Sequence, residues 1–445
     1  MACTQNKIHP SQPPWLVVSD GCGRLFEIPG LFAIGKQGNT PVLPELEQWI
    51  PLPKGSLLME LPDRVPIGYD PKEKTFISIP EYRGKKVWPA SAFLVPGYTQ
   101  LYYTAYASLP QAVRLPLYAY TPIGWRNGQF WVTAVQVEHE LRHDPSQFHE
   151  PEVLEKAHQM LLRYPTNRLV KHLVENCVQK YHCPNAQNFV LERWECPAPV
   201  SPGCNAQCVG CISEQENTGI SPAQYRIAFT PTVEEICEYT IPHLQCAERA
   251  MVSFGQGCEG EPLLKAKLIE KAIRHIRKYT RRGTLHVNTN AGYPEEIDRL
   301  ASAGLESIRV SLNSAQDLYY HRYYRPKDYS FKDVLESLKK ARAKNLWISL
   351  NYFIFPGFTE DTTETQALLE LIQRFRIDCI QMRNLNIDPE WYLQTLQFSQ
   401  NAPTSTTILQ WMVHIRKKAP WIQFRYYNPP KEDWKKMNLV QWLQK

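Results

Sequence analysis

The pattern of hydrophobic and polar positions changes twice along the chain. Residues 1–148 carry short apolar runs separated by turn signals such as Asn127-Gly128, which predicts a small β-rich N-terminal domain. Residues 149–187 carry apolar side chains at helical spacing and predict a helical connector. Short apolar segments then alternate with amphipathic ones from residue 188 to residue 400, and we expect residues 401–445 to pack against this region as a C-terminal extension.

The alternating region predicts strands joined by helical crossovers. Six strand candidates stand out as apolar runs, at 189–195, 249–254, 284–288, 307–312, 347–353 and 378–382. Helical periodicity fills the intervals, at 234–244, 263–279, 295–303, 331–343 and 361–375. This order predicts an α/β fold with a parallel sheet, as a full or partial barrel or as an open sheet. In each of these folds, ligands bind at the C-terminal edge of the strands.

Composition narrows the class of protein. The 445 residues are 43% hydrophobic and 21% charged, as in an ordinary globular protein. The chain has no apolar run of about 18 residues, and its first residues lack the apolar core of a signal peptide. We therefore expect a cytoplasmic protein with no membrane contact.

The positive charge is concentrated at the C-terminal end. The net charge is +6, and residues 411–445 alone hold eight Lys or Arg against two Asp or Glu, a difference of +6. Tryptophan and tyrosine are interleaved with these bases, which is one pattern of nucleic-acid binding. The same pattern fits a last strand and a closing helix whose aromatic rings pack while the lysines stay in water, and we favour this second interpretation.

Three cysteines lie close together after the first predicted strand. Cys204, Cys208 and Cys211 provide three thiolates, which can ligate three irons of a four-iron cluster and leave the fourth iron open to another molecule. The alternative is a structural zinc site completed by Cys183, Cys196 or Cys258. Zinc sites usually consist of two separated pairs of ligands, and the sequence shows no second pair, so it favours the iron–sulfur cluster.

This cysteine motif resembles the CxxxCxxC signature of the radical S-adenosylmethionine (radical SAM) enzymes, and the resemblance extends over about residues 188–390. It implies a partial (β/α)6 TIM-like barrel at 188–400, preceded by the β-rich domain. It also implies a [4Fe-4S] cluster bound by the three cysteines, with S-adenosylmethionine (SAM) as the second cofactor. The implied reaction is reductive cleavage of SAM to a 5′-deoxyadenosyl radical, which abstracts a hydrogen atom from a substrate that the sequence does not identify. The electron would come from a donor such as flavodoxin or ferredoxin.

Further positions resemble the SAM-binding motifs of that family. Glu261 would accept the amino group of SAM, and Ser311 and Asn313 match the ribose and carboxylate contacts. Together the positions that the resemblance assigns to SAM are Gly260, Glu261, Pro262, Thr289, Asn290, Ser311, Asn313, Ile354 and Gly357.

The fourth predicted strand has one apolar face and one polar face. Ile308, Val310 and Leu312 alternate with polar residues, whereas a strand of a parallel sheet usually buries apolar side chains on both faces. A polar face therefore predicts an interior that holds a polar ligand; a solvated edge strand is the alternative. On this basis the residues predicted on the substrate side are Arg309, Asn351, Gln381 and Arg383. His286, on the third strand, is predicted to be a hydrogen-bonded core histidine.

Three other functions fit parts of the pattern. A radical SAM enzyme can modify RNA or a protein side chain instead of a small molecule. A non-catalytic iron–sulfur or nucleic-acid-binding protein on a degenerate barrel would keep the cluster but would not cleave SAM. A zinc-stabilised scaffold would bind no iron. The spacing of Cys177, Cys183 and Cys196 leaves open a second cluster, although no fourth ligand is evident.

Overall fold

The N-terminal part of the protein is a large antiparallel β structure. The structure is a computed structural model that describes residues 12–399 and 405–436. Eleven strands form one sheet, and smaller sheets of two and three strands accompany it. The β-rich character predicted for this part is confirmed, but the sheet is larger than the small domain we expected. The strands are Trp15–Ser19, Leu25–Phe32, Gly35–Gln37, Thr40–Val42, Trp49–Pro51, Leu57–Glu60, Arg64–Asp70, Thr75–Ser78, Glu81–Tyr82, Lys85–Lys86, Trp88–Phe93, Tyr98–Gln100, Tyr103–Thr104, Tyr106–Ser108, Thr121–Arg126 and Gln129–Gln136.

The turn at Asn127-Gly128 shows how local sequence sets this topology. Arg126 pairs with Gln129 across the turn, so the hairpin loop has two residues. Both loop residues have positive φ, 52° for Asn127 and 79° for Gly128. This is the backbone that a two-residue hairpin turn requires, and Asn followed by Gly adopts it at least steric cost.

Helices connect the two β regions. They are Glu150–Arg163, Arg168–His172, the π-helix Leu173–Lys180 and Pro184–Val190. The strand predicted at 189–195 is therefore wrong, because its apolar residues Phe189 and Val190 are the buried end of a helix that begins with Pro184. A short apolar run does not distinguish a strand from a buried helix end. The first strand of the parallel sheet is Glu195–Pro197.

Seven parallel strands follow in chain order, and each pairs with the next. We number them one to seven: Glu195–Pro197, Met251–Phe254, Thr284–Thr289, Ser307–Leu312, Trp347–Ile354, Cys379–Asn384 and Gln423–Arg425. The α-helices that accompany them are Val233–Cys246, Ala266–Tyr279, Pro294–Ala303, Asp317–Tyr324, Phe331–Ala343, Thr362–Phe375, Pro389–Leu396 and Ile408–Lys418. Short 3-10 turns lie at Leu46–Gln48, Leu141–His143, Pro145–Gln147, Pro262–Lys265 and Lys431–Asp433. The α/β prediction is confirmed, and strand seven is the last strand that we favoured for the C-terminal extension.

The parallel sheet does not close into a barrel. Among the described residues, strand one pairs only with strand two, and strand seven pairs only with strand six. Side chains bridge the gap from Asn428, which follows strand seven. Asn428 Nδ2 donates to Glu195 Oε1 of strand one at 3.3 Å, and Gln381 Nε2 of strand six donates to Asn428 Oδ1 at 2.7 Å. The sheet is therefore open, and polar side chains connect its two ends.

The N-terminal sheet contacts the C-terminal ends of strands five and six. Thr99 Oγ1 donates to the Met382 carbonyl at 2.9 Å, and the Gln100 amide donates to Asn384 Oδ1 at 2.9 Å. The buried guanidinium of Arg64 donates to the Asp388 carboxylate at 3.2 Å. Backbone and charged contacts therefore hold the N-terminal sheet beside the end of the parallel sheet where ligands bind.

The aromatic side chains of the C-terminal extension are packed as far as the structure describes them. Trp434 stacks on Trp347 with ring centroids 5.3 Å apart. Trp421 donates to the Ile377 carbonyl at 2.9 Å, and the Arg376 guanidinium lies 3.8 Å from the centre of the Trp421 ring. Trp442 lies outside the described residues. Within residues 12–399 and 405–436, no helix has the length and apolar character needed to cross a membrane.

Candidate functional site

A cavity of about 510 Å³ opens at the C-terminal edge of the parallel strands. This volume is in the range of small-molecule sites. The cavity is lined by the three motif cysteines and by most of the residues that we predicted to contact SAM or substrate. The predicted residues in the lining are Cys204, Cys208, Cys211, Gly260, Glu261, Pro262, Thr289, Asn290, Ser311, Arg309, Asn351 and Arg383.

The cysteine loop is held against the helix Asp317–Tyr324. The Gln207 amide donates to the Tyr324 carbonyl at 3.1 Å, and the Val209 amide donates to the Tyr323 carbonyl at 3.0 Å. These bonds satisfy carbonyls at the C-terminal end of the helix, which have no partner within it. They also fix both sides of Cys208. The loop backbone is therefore ordered by the fold itself.

The three thiols form a donor set that suits iron. All three are half-buried, and burial raises the pKa of Cys204 to about 11 and that of Cys208 well above its ordinary value. A thiol with a raised pKa keeps its proton until a metal displaces it. Cys204, Cys208 and Cys211 thus fit a cluster that takes three thiolates from one loop, and they are the residues that would hold it.

Arg226 lies beside this loop and was not identified from the sequence. Its Nη2 donates to Cys211 Sγ at 3.5 Å, its Nε donates to Ser213 Oγ at 2.9 Å, and it pairs with Glu214 at 2.7 Å. A guanidinium next to a thiolate stabilises negative charge on the sulfur. Arg226 stands fifteen residues after Cys211 in a segment without helix or strand, so periodicity gave no signal for it.

Glu259 joins the ends of strands one and two. Its Oε2 accepts from the amides of Val200 and Ser201 at 2.8 and 3.0 Å. Its Oε1 accepts from the amides of Gly255 and Gln256 at 2.7 and 2.6 Å. Four backbone donors are therefore satisfied by one buried carboxylate, at the position where the family resemblance would place a glycine. This carboxylate ties the segment that leads into the cysteine loop to residues 255–262, which we call the SAM loop because the family resemblance assigns Gly260, Glu261 and Pro262 to SAM.

Glu261 lies deeper in the same loop and connects it to strand three. Its Oε1 accepts from Thr289 Oγ1 at 2.5 Å and from the Leu263 amide at 3.0 Å, and its Oε2 accepts from the Asn290 amide at 2.9 Å. Burial raises the pKa of this carboxyl to about 7. A carboxylate offers about four acceptor positions. Glu261 therefore retains capacity for one more donor on the cavity side, such as an ammonium group.

Gly260 lets the SAM loop approach the cysteine loop. A Cβ at this position would lie 1.9 Å from the Gly203 carbonyl oxygen. The Gly260 amide donates to the Ser201 carbonyl at 2.7 Å, and the Glu261 amide donates to the Gly203 carbonyl at 2.9 Å. Only a residue without a side chain allows this pairing.

The polar face predicted on strand four is continued by its neighbours. Ser311 lies opposite Asn351 of strand five, and Asn351 lies opposite Gln381 of strand six. Arg309 Nη1 donates to Gln381 Oε1 at 3.2 Å. Gln381 is fully buried beneath this arginine and does not line the cavity, so it positions Arg309 instead of facing a ligand.

Two arginines share the wall of the cavity. Burial, together with the nearby Arg383 charge, lowers the pKa of Arg309 to about 9. Arg383 extends over the Tyr426 ring, 4.3 Å from its centre. The Nε atoms of both arginines are buried and have no hydrogen-bond partner within the described part of the chain. Two cations with unused donors favour an anionic ligand.

Three predicted SAM contacts lie outside the cavity: Asn313, Ile354 and Gly357. Asn313 is buried, and its Nδ2 donates to the Tyr319 carbonyl at 3.1 Å. Gly357 contacts the N-terminal hairpin, because a Cβ on it would lie 1.9 Å from the Gly38 nitrogen. Ile354 is buried in the core. The structure therefore brings these residues near strand ends but not to the cavity surface.

His286, which we predicted to be a core histidine and not a site residue, is buried in the core. Its ring lies 2.6 Å from Ser307 Oγ and 2.9 Å from Asn288 Oδ1, and burial lowers its pKa to about 3.

Two residues that line the cavity, Glu195 and Asn428, were not predicted from the sequence. For Glu195 a signal existed, since it is a charged residue at the end of a predicted strand. Asn428 reaches the cavity only through strand seven, which lies in a segment for which the sequence left two interpretations.

Comparison with known protein families gives a match to part of the sequence. The family model described as the radical SAM superfamily matches residues 198–369. No relative was found among the curated proteins.

Several solved structures are similar over part of the chain. One, described as native anSMEcpe with bound AdoMet, is 14% identical and covers 43% of this chain and 52% of its own, with a TM-score of 0.34. The FeFe-hydrogenase maturase HydG from Carboxydothermus hydrogenoformans is 14% identical, with 62% and 70% of the two chains covered and a TM-score of 0.34. SuiB from Streptococcus suis, bound to the precursor peptide SuiA, is 13% identical, with 54% and 52% covered and a TM-score of 0.33. The chain thus spans about half the length of the first and third of these structures.

The matched segment begins at Ala198 and includes the cysteine loop, the SAM loop and the polar face of strand four. These elements bring the three thiols, Glu261 and Arg309 to one cavity, whereas Arg383 comes from strand six, beyond the matched segment. Residues 198–369 are therefore a radical SAM domain, of the superfamily whose enzymes bind a [4Fe-4S] cluster and SAM.

Proposed function

We propose that this protein reductively cleaves SAM and uses the resulting 5′-deoxyadenosyl radical to abstract a hydrogen atom from a small anionic substrate. The observation that supports this most directly is the cavity in which three cysteines of one loop, a buried glutamate and two arginines meet. The cluster, when bound, supplies the electron for breaking the carbon–sulfur bond of SAM, and a donor such as flavodoxin or ferredoxin would deliver that electron to it.

The chain's own residues position SAM. Glu261 accepts the amino group with the acceptor position that the Thr289 hydroxyl and the backbone amides leave open. Asn290 is fixed by donation to Asn205 Oδ1 at 2.8 Å, next to the cysteine loop. Ser311 presents a hydroxyl group on strand four, whereas Thr289, on the neighbouring strand three, uses its hydroxyl to hold Glu261. These contacts orient SAM, and a fixed orientation lowers the barrier because less freedom is lost in the reaction.

Aromatic side chains limit the entry of water. Tyr323 packs on the cysteine loop, where a Cβ at Gly210 would lie 2.7 Å from the Tyr323 hydroxyl. The Tyr323 and Phe353 rings lie edge to face with centroids 5.5 Å apart. A dry pocket protects a reactive radical from side reactions.

Two features of the cavity support a small anionic substrate. The cavity volume of about 510 Å³ must hold SAM as well, which leaves room for a small molecule only. Arg309 and Arg383 face this space from strands four and six with unused Nε donors. A carboxylate or phosphate would satisfy these donors and reduce the repulsion between the two charges. The packed aromatic rings of the C-terminal extension give no comparable support to an RNA substrate.

The first experiment measures SAM cleavage. The full-length protein is reconstituted anaerobically with iron and sulfide, reduced with dithionite, given SAM, and assayed for 5′-deoxyadenosine by chromatography. We expect deoxyadenosine from the wild type and background levels from Cys208→Ala, because that substitution removes one cluster ligand. Cys237→Ser is the matched control, since Cys237 is buried outside the cavity and should retain activity. A wild-type protein that holds four irons and binds SAM without cleaving it, with and without small-molecule extracts, would contradict the proposed reaction.

A further inference from the structure

Three side chains of metal-ligand type converge outside the cysteine motif. His172, Cys177 and Cys258 come from two separate segments, and their ligand atoms all lie within 4.8 Å of one another. All three residues are buried, at 8%, 1% and 4% exposure. Neither the family match nor the proposed SAM chemistry assigns a role to this group.

The π-helix creates the first half of the group. His172 ends the α-helix Arg168–His172, and Cys177 lies inside the π-helix Leu173–Lys180. Residues five apart in an α-helix point about 140° away from each other, because each residue turns the helix by about 100°. The wider π turn places such residues together, and Cys177 Sγ lies 3.9 Å from His172 Nε2. A π-helix is rare and is often found at functional sites.

The second half comes from the loop that follows strand two. Cys258 directly precedes Glu259, and the Ile227 amide donates to its carbonyl at 2.7 Å. A hydrogen bond with Cys177 and burial together raise the pKa of the Cys258 thiol well above its ordinary value. The two sulfurs lie within 4.8 Å of each other across the boundary between the connector helices and the SAM loop.

The distances fit a tetrahedral ion with mixed ligands. Zinc bonds of about 2.3 Å to sulfur and about 2.0 Å to nitrogen separate neighbouring ligand atoms by roughly 3.5–3.8 Å. The observed 3.9 Å between Cys177 and His172 is close to that range. The other ring nitrogen of His172, Nδ1, lies 3.2 Å from Asn176 Nδ2. Turning this amide by 180° places its carbonyl oxygen there, where it can accept the Nδ1 proton and leave Nε2 free for a metal, as second partners of ligating histidines usually do.

We propose that His172, Cys177 and Cys258 bind a zinc ion that fastens the SAM loop to the helical connector. Thiolate and imidazole donors favour zinc over calcium or magnesium, and three protein ligands leave one coordination position for a further donor. Because Cys258 adjoins Glu259, the ion would hold the carboxylate that joins strands one and two. This site is separate from the cluster site, so it stands or falls independently of SAM cleavage.

The first test measures zinc and iron together in the full-length, cluster-containing protein. We expect one zinc per chain in the wild type, background zinc with normal iron in Cys177→Ser and Cys258→Ser, and normal amounts of both metals in Cys237→Ser. Cys237 is a matched buried cysteine that contacts the Ala272 carbonyl instead. Zinc that is absent from the wild type after incubation with zinc chloride, or zinc that persists in both variants, would overturn the proposal.

A second test excludes zinc held by the cysteine motif. In Cys204→Ala/Cys208→Ala/Cys211→Ala, cobalt(II) should bind at one ion per chain and give the visible absorption of a tetrahedral thiolate site, and zinc should displace it. Adding His172→Gln should weaken cobalt binding by roughly 100-fold, since one of three ligands is lost. Circular dichroism confirms that the parent variant is folded. A Cys177–Cys258 disulfide found by mass spectrometry in protein purified under reducing conditions would overturn the metal site.

Discussion

Arg309 and Arg383 show how single residues define the character of the cavity. Both lie on the polar side of the sheet, one on strand four and one on strand six, with Asn351 of strand five between them. Burial and mutual repulsion make their charges costly, as the lowered Arg309 pKa of about 9 indicates. Glu195 lies close enough to offset part of this charge, but it is already bonded to Ser253 Oγ at 2.5 Å. This supports the proposal that the pair binds an anion from outside the chain.

This arrangement predicts a selective effect of neutralising the arginines. Arg309→Gln and Arg383→Gln should leave SAM cleavage without substrate nearly unchanged and should raise the KM for an anionic substrate about 10- to 100-fold, the cost of one or two charged hydrogen bonds. The assay measures deoxyadenosine stimulated by anion-exchange fractions of a small-molecule extract. Arg309→Lys keeps the charge and should be stimulated more than Arg309→Gln. Stimulating activity that elutes with cations, or equal stimulation of all variants, would contradict an anionic substrate.

The sequence predicted the site residues that lie within one loop or one strand. It did not predict those that other segments of the chain bring to the cavity. Cys204, Cys208 and Cys211 stand within one loop, and the alternation around Arg309 is visible within one strand. Arg226 and Asn428 reach the cavity through irregular segments, where side-chain direction follows from tertiary contacts. Glu259 is adjacent to Gly260 and Glu261 in sequence, but its role depends on four backbone partners from two different strand ends.

The loop after strand five contains a glycine that matches the spacing of a SAM-binding motif but contacts another part of the chain. The family resemblance assigns Gly357 to SAM, yet the structure has the N-terminal hairpin of Gly35–Gln37 and Thr40–Val42 against this loop. The Gly38 amide donates to the Pro356 carbonyl at 2.8 Å, and Gly357 has a φ of +99°. Contact with another backbone and positive φ both demand glycine here. At this scale we infer that Gly357 serves docking of the hairpin.

Replacing Gly357 distinguishes docking from SAM binding. Gly357→Ala should destabilise the protein by about 2–4 kcal/mol, since strain from positive φ adds to overlap with Gly38. Gly30→Ala is the matched control, because Gly30 has a similar φ of +94° but nothing lies within 4 Å of its Cβ position. It should cost about 1 kcal/mol. Chemical denaturation gives both values, and SAM affinity in the folded variants should be unchanged; weakened SAM binding in Gly357→Ala with stability equal to the control would favour the adenine contact.

Elements were predictable where periodicity was long and uninterrupted. The helix Phe331–Ala343 and the strand Ser307–Leu312 coincide with the predicted 331–343 and 307–312. The error at 189–195 came from a short apolar run behind Pro184. Strand seven is only three residues long, Gln423–Arg425, and it forms because strand six offers it an edge. It lies in the C-terminal extension, for which we favoured a last strand, and pairing with strand six decides where it begins and ends.

At the scale of the whole molecule, the N-terminal sheet and the parallel sheet share buried polar contacts near the cavity. Asp388 accepts from Arg64 Nη2 at 3.2 Å and from the Leu115 amide at 2.9 Å, and it also caps the helix Pro389–Leu396. Pro96 of the N-terminal part lines the cavity. We infer that the N-terminal part covers one side of the cavity mouth, so docking and access to the site are linked.

Glu360 makes this docking depend on pH. It is buried between the two parts, accepts from the Gly357 amide at 2.8 Å, and bonds to Gln37 Nε2 of the N-terminal sheet. Burial raises the pKa of its carboxyl from 4.5 to about 7. In the folded protein the group therefore keeps its proton between these values, whereas the unfolded chain loses it. The protonated Glu360 carboxyl therefore stabilises the folded protein fully below pH 4.5, and this stabilisation is lost as pH rises through 7.

Comparison with Glu360→Gln isolates this effect, because the amide stays neutral at every pH. Between pH 5 and pH 8, the free energy of unfolding of the wild type should fall by about 2–3 kcal/mol relative to the variant, as urea titrations at several pH values would measure. Glu150→Gln removes an exposed carboxylate and controls for the loss of one charge. A constant difference between wild type and Glu360→Gln across this range would mean that the carboxyl is ionised at the docked surface throughout. In that case Gln37 and the Gly357 amide would be stabilising a buried carboxylate, and docking of the N-terminal sheet would not weaken as pH rises.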